Sequence, residues 1–135
     1  MIRIMIVDDS SIIRKIFAKD LQEIGYTVAG VARDGKEAIS MYENLMPDLV
    51  TMDITMPIMN GIESLKAIKA KFKDAKVIMV TSHGEEKLVM EALSNGAKGY
   101  ILKPITTEKI QQAIYKIFPN PINTNETVTE IITPM

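Results

Sequence analysis

Residues 4–9 read I-M-I-V-D-D, four apolar residues that run straight into two adjacent aspartates. The shape returns at L-V-T-M, residues 49–52, which runs into Asp53, and at V-I-M-V, residues 77–80, which ends at Thr81. Laid side by side as parallel strands, these runs bring Asp8, Asp9 and Asp53 into one small pocket at the carboxyl edge of a sheet. Carboxylates at that separation resist ionising together unless a cation lies among them. A fourth run, Tyr100 to Leu102, delivers Lys103 and Pro104 to the same edge. The pattern points to a divalent-metal and phosphoryl site in which one carboxylate accepts phosphate.

Between the runs the apolar residues recur at helical spacing. Ser10 and Ser11 are candidate caps for a first helix with the stripe Ile12, Ile13, Ile16, Phe17, Leu21 and Ile24, stopped by Gly25. Thr27 to Ala32 reads as a strand, Asp34 and Gly35 as a turn, and Ala38, Ile39, Tyr42 and Leu45 as a second helix that cannot pass Pro47. Ile62, Leu65 and Ile68 mark a third helix. Val77 to Val80 is too continuously apolar for a one-sided strand and is expected to be buried on both faces. Leu88, Val89, Ala92 and Leu93 trace a fourth helix closed near Gly96, and Thr106 or Thr107 caps a fifth carrying Ile110, Ala113, Ile114 and Ile117. Strict alternation of strand and helix implies an α/β fold: a doubly wound parallel sheet of five strands with right-handed crossovers and helices on both faces. Ligands of such sheets bind beyond the carboxyl ends of the strands, where the acids fall.

Composition narrows the setting. A chain of 135 residues with 47% apolar and 24% charged residues is long enough for one domain with a real core. Lys plus Arg (16) nearly balances Asp plus Glu (17), so no strong field draws it to nucleic acid or anionic lipid, and no direct nucleic-acid binding is expected. With no cysteine there is no disulfide, thiolate metal site or thiol nucleophile, which fits a reducing compartment. The first apolar run is too short for a signal peptide and no segment reaches the length of a membrane span, so no membrane insertion and a cytoplasmic location are expected.

Taken together, Asp8 with Asp9, Asp53 followed by Met56, Pro57 and Gly61, Thr81 with Ser82, and Lys103 with Pro104 resemble the receiver domains of bacterial two-component response regulators. The narrower resemblance is to single-domain chemotaxis regulators of CheY type. It covers about residues 2–118, so residues 1–118 are expected to form the receiver domain and 119–135 a flexible C-terminal tail. The resemblance implies a flavodoxin-like sheet of order 2-1-3-4-5. It further implies Mg²⁺ as cofactor, held by Asp9 and Asp53, by the backbone carbonyl of Thr55, and by Asp8 directly or through water. Asp53 would be the phosphoacceptor, Lys103 its counter-cation and then a ligand of the phosphoryl group, and Thr81 a hydrogen-bond donor to that group. Thr81 and Tyr100 would form the switch, Tyr100 turning into space that Thr81 vacates and altering the surface of the fourth helix, fifth strand and fifth helix. Thr55 and His83 stand where this family tunes phosphoryl lifetime.

The implied function is a phosphoprotein switch, phosphorylated by a sensor histidine kinase and read by a protein target, with the flagellar motor switch as one candidate. It would be a stoichiometric acceptor rather than an enzyme, capable only of Mg²⁺-dependent self-phosphorylation and self-dephosphorylation. Two alternatives fit the residues less well. A metal-dependent aspartyl-phosphate phosphatase needs a second acid two residues beyond the nucleophile, where this chain has Thr55. A phosphorylation-independent binding module would have no use for the whole set of acids and Lys103. Asn60 replaces the aspartate common before Gly61, and Ile105 the aromatic frequent after Pro104; neither removes a reacting group. Ten methionines read as gap-filling core residues, with Met56 and Met59 flanking the site loop. Val128, Ile131 and Ile132 in the tail are good strand formers that could dock on this domain or extend a partner's sheet.

Overall fold

A computed structural model describes residues 1–119. Its elements alternate without exception: β1 (Arg3–Val7), α1 (Ser11–Ile24), β2 (Thr27–Ala32), α2 (Gly35–Leu45), β3 (Leu49–Asp53), α3 (Gly61–Lys71), β4 (Val77–Thr81), α4 (Glu86–Ser94), β5 (Gly99–Leu102) and α5 (Thr107–Ile117). All strand pairs are parallel, in the order β2-β1-β3-β4-β5, the doubly wound, flavodoxin-like arrangement expected. Apart from Pro119, the expected tail, with its apolar Val128, Ile131 and Ile132, lies outside the described residues.

The central strands β3 and β4 are buried along their whole length, which is why their sequences show no polar alternation. Side chains alternate between two cores, one on each face. Met5, Val7, Val50, Met52, Val77 and Met79 pack under α2, α3 and α4 against Tyr42, Leu65 and Ile68. Ile4, Ile6, Leu49, Ile78, Val80 and Ile101 pack under α1 and α5 against Phe17, Leu21, Ile110 and Ile114. Each such aliphatic or aromatic side chain contributes about 1.5–3 kcal/mol by leaving water. A one-residue slip of any central strand would exchange its two sets of side chains between these cores, so the register is strongly specified.

Helix ends follow local chemistry. The Ser10 hydroxyl accepts from the Ile13 N–H at 3.2 Å to start α1, and Gly25 ends it at φ 114°, a left-handed conformation that glycine adopts without a Cβ clash. Thr106, rather than Thr107, caps α5. Two apolar stripes are wider than the faces they bury. Ile12 and Ile16 of α1 are 68% and 46% exposed, because only the side of α1 carrying Phe17 and Leu21 meets the sheet and α5. In α4, Val89 and Ala92 are buried while Leu88 and Leu93 sit at the rim.

Candidate functional site

Register decides what meets at the carboxyl edge. Val7 pairs with Met52, Asp53 with Val80, and Thr81 with Leu102, so the chain leaves four adjacent strands at one level with Asp8, Asp53, Thr81 and Lys103. Parallel strands have no hairpins, so each of these ends opens into a loop free to carry chemistry.

The loops are held by backbone contacts. The Asp8 N–H donates to Ala32 O at 3.1 Å, the Arg14 guanidinium donates to the Asp8 carbonyl at 2.7 Å, and the Ser10 N–H donates to the Asp8 carboxylate at 2.9 Å. Ile54 N donates to Val80 O at 3.1 Å, and Gly61 N donates to Ile54 O at 2.7 Å, folding the loop after β3 back on itself. Gly61 is there for closeness: a Cβ on it would lie 2.1 Å from the Asp53 carbonyl oxygen. Asn60 carries the α3 cap without a charge; its side chain accepts from Glu63 N and the Glu63 carboxylate accepts from Asn60 N, a reciprocal pair. On the other side of the site, Lys103 N donates to Thr81 O at 2.8 Å, the Lys103–Pro104 peptide bond that follows is cis, and Lys109 Nζ donates to Leu102 O and Pro104 O.

Within this frame Asp8, Asp9 and Asp53 each present a carboxylate oxygen, all within 4.8 Å of one another, with Asp8 and Asp53 buried and Asp9 exposed. Lys103 Nζ lies 3.3 Å from Asp8 Oδ2 and 3.5 Å from Asp53 Oδ1. One ammonium does not balance three acids. Burial, and then the charge of Asp8, push the Asp53 carboxyl up from its ordinary 3.8 to about 7, against the opposing pull of Lys103 and with smaller contributions from Asp9 and Glu85. Burial would lower the Lys103 ammonium, yet Asp53 and Asp8 outweigh it and raise its pKa. A hard divalent cation suits this site, since three convergent carboxylate oxygens with an uncompensated negative charge are the donors that Mg²⁺ takes.

A residue that the sequence reading passed over stands at the rim. The Glu85 carboxylate accepts from Thr81 Oγ1 at 2.7 Å and from Ser82 N at 2.7 Å through one oxygen, and from Thr55 Oγ1 at 2.6 Å through the other. Burial would raise its pKa, but the bonds from Thr55, Ser82 N–H and Thr81, with Lys103's charge, hold it below the ordinary value. Its signal in the sequence was slight, an acid four residues past Thr81 at a helix start. Thr55 is exposed and faces Glu85, and His83 is exposed with no side-chain hydrogen bond among the described residues. Tyr100, 53% exposed, shares with Thr81, Ser82, Val89, Met90 and Leu102 a groove of about 250 Å³ between α4 and β5.

Residues 4–115 match the family model of the response regulator receiver domain. The chain belongs to that family. As a receiver it is 42% identical to the chemotaxis protein CheY of Thermotoga maritima over 115 residues, covering 85% of this chain and 96% of that one. It is 41% identical to CheY of Bacillus subtilis, covering 84% and 95%. Among solved structures, a chain of the CheX–CheY–BeF3–Mg²⁺ complex from Borrelia burgdorferi superposes with a TM-score of 0.83 at 39% identity, over 87% of this receiver and 89% of that chain. These matches make the protein a phosphorylation-activated switch of a two-component system. No helix among the described residues of this receiver is long and apolar enough to cross a membrane.

Proposed function

We propose that this receiver takes a phosphoryl group on Asp53 from a sensor histidine kinase and passes the signal by protein contact, in chemotaxis. The observation that carries the reading is the meeting of Asp8, Asp9 and Asp53 with Lys103 at one strand-end level. Asp9, Asp53 and the Thr55 carbonyl would hold Mg²⁺, with Asp8 contributing directly or through water. Bound there, the ion supplies the positive charge that lets an anionic phosphoryl group approach an anionic carboxylate. The Asp53 oxygen forms the new bond to phosphorus as the bond to the donor's histidine nitrogen breaks, the electron pair staying on that nitrogen. Lys103, already poised between Asp8 and Asp53, stabilises the phosphoryl oxygens, and the Thr81 hydroxyl donates to one of them.

The chain's part is that of a stoichiometric acceptor, returning to rest by self-dephosphorylation. Thr55 offers no acid or base for rapid turnover of an outside substrate, and its hydroxyl is engaged by Glu85, which disfavours the phosphatase reading. The chemotaxis assignment rests on the CheY relatives; the flagellar motor switch is the target it implies, and the cytoplasm its place of action. The groove beside Tyr100 gives that side chain room to move when Thr81 does. The receiver domain would occupy residues 1–118, with 119–135 as an appended tail.

The test is incubation with acetyl phosphate and Mg²⁺, followed by intact mass. The expected result is one labile phosphoryl group on the wild type and none on Asp53→Asn. Labelling that survives the substitution would remove Asp53 from the role.

A further inference from the structure

We infer that Glu85 is a positioning residue that keeps the switch at rest, an internal anion holding the Thr81 hydroxyl that the phosphoryl group must take over. The inference rests on the phosphoacceptor reading of Asp53 and adds to it the resting contact that activation has to break.

A single proton decides which partner Thr81 serves. A threonine hydroxyl has one hydrogen to donate, and of the two acceptors within its reach the Glu85 Oε1 at 2.7 Å is much closer than the Ser82 carbonyl at 3.3 Å. Thr81 cannot serve Glu85 and a phosphoryl oxygen at once. The same carboxylate oxygen takes the neighbouring Ser82 N–H at 2.7 Å, so the two donors that open the loop after β4 are captured together. The other oxygen takes the Thr55 hydroxyl at 2.6 Å, tying the loop after β3 to the loop after β4 across the mouth of the site. Three charge-assisted bonds on one carboxylate make this a strong contact rather than an incidental one.

Its position also links the site to a helix. Glu85 is the N-cap residue of α4, yet its side chain makes no cap hydrogen bond, because the carboxylate is turned back toward Thr81 and Ser82. Its backbone carbonyl accepts the first helical bond, from Val89 N at 3.0 Å. Displacing the carboxylate therefore disturbs the start of the helix that, with β5, walls the groove holding Tyr100. An incoming phosphoryl group at Asp53 would favour that displacement twice, by competing for Thr81 and by repelling Glu85.

The test is calorimetric titration of the full-length protein with beryllofluoride in the presence of Mg²⁺, for wild type, Glu85→Gln, Glu85→Ala, Thr81→Ala and the double variant Thr81→Ala/Glu85→Ala. Removing a competing charged hydrogen bond should tighten beryllofluoride binding about tenfold in Glu85→Ala. Glu85→Gln, which keeps the shape and one acceptor, should give a smaller gain in the same direction. In the Thr81→Ala background, removing Glu85 should gain less than about threefold, because the contested hydroxyl is gone. Unchanged or weaker binding in Glu85→Ala overturns the inference, and so does an equal gain with and without Thr81, which would mean repulsion alone. A wild type that takes up no beryllofluoride overturns the phosphoacceptor reading itself; a wild type that binds while the Glu85 variants match it overturns only the role of Glu85.

Discussion

Asp53 is the residue on which the account depends, and its carboxyl is held at odds with its surroundings. It is 5% exposed, faces Asp8, and is pushed up to about 7. Since the unfolded chain releases that proton near the ordinary 3.8, the folded protein binds more protons than the unfolded one between about pH 4 and pH 7. Stability from this residue is therefore full below pH 4, is lost as pH rises through 7, and stays lost above it in the absence of a cation. Asp53→Asn removes the titration, so without Mg²⁺ its stability relative to wild type should grow by on the order of 2 kcal/mol between pH 5.5 and pH 8. Urea unfolding at the two pH values reads this directly; an equal difference at both would show that Asp53 titrates normally. Asp8, Asp9, Asp53, Thr81 and Lys103 could all be picked out from the sequence because each follows an apolar run. Glu85 could not, because its role comes from where the start of α4 places it, and acids near helix starts are common for capping and dipole reasons alone.

At the scale of elements, the strands were legible because β3 and β4 are buried on both faces and carry unbroken apolar runs. The helices were legible from their stripes and from stops such as Gly25, but the choice of Ser10 over Ser11 and of Thr106 over Thr107 as caps, and the start of α4 at Glu85, came only with the structure. What periodicity could not tell was how much of each apolar stripe finds a partner: Ile12 and Ile16 continue the α1 pattern and are nevertheless exposed. The loop after β3 was likewise visible only as a loop. Its tightness comes from Gly61, where any side chain collides with the Asp53 backbone. Gly61→Ala should cost about 3 kcal/mol of stability in urea unfolding, since the atom it meets is main chain that cannot swing aside. Mg²⁺ affinity should fall with it, because relief of the clash moves Asp53. Stability within about 0.5 kcal/mol of wild type would mean that the loop is looser than described.

For the whole molecule, the parallel sheet does two things at once. Its two buried faces fix the register, and the register sets Asp8, Asp53, Thr81 and Lys103 at one level. Stability of the cores thus becomes precision at the site, with charge the one quantity left unbalanced there. The architecture followed from the alternation of runs, whereas the strand order came through resemblance, since periodicity does not say which strand lies beside which. The direct test of the central claim is the titration of the Asp53 carboxyl carbon by NMR, with and without Mg²⁺. The account predicts a midpoint near 7 in metal-free protein and a fall of more than one unit when the ion binds. An ordinary carboxylate midpoint without metal, or a midpoint indifferent to Mg²⁺, would contradict it.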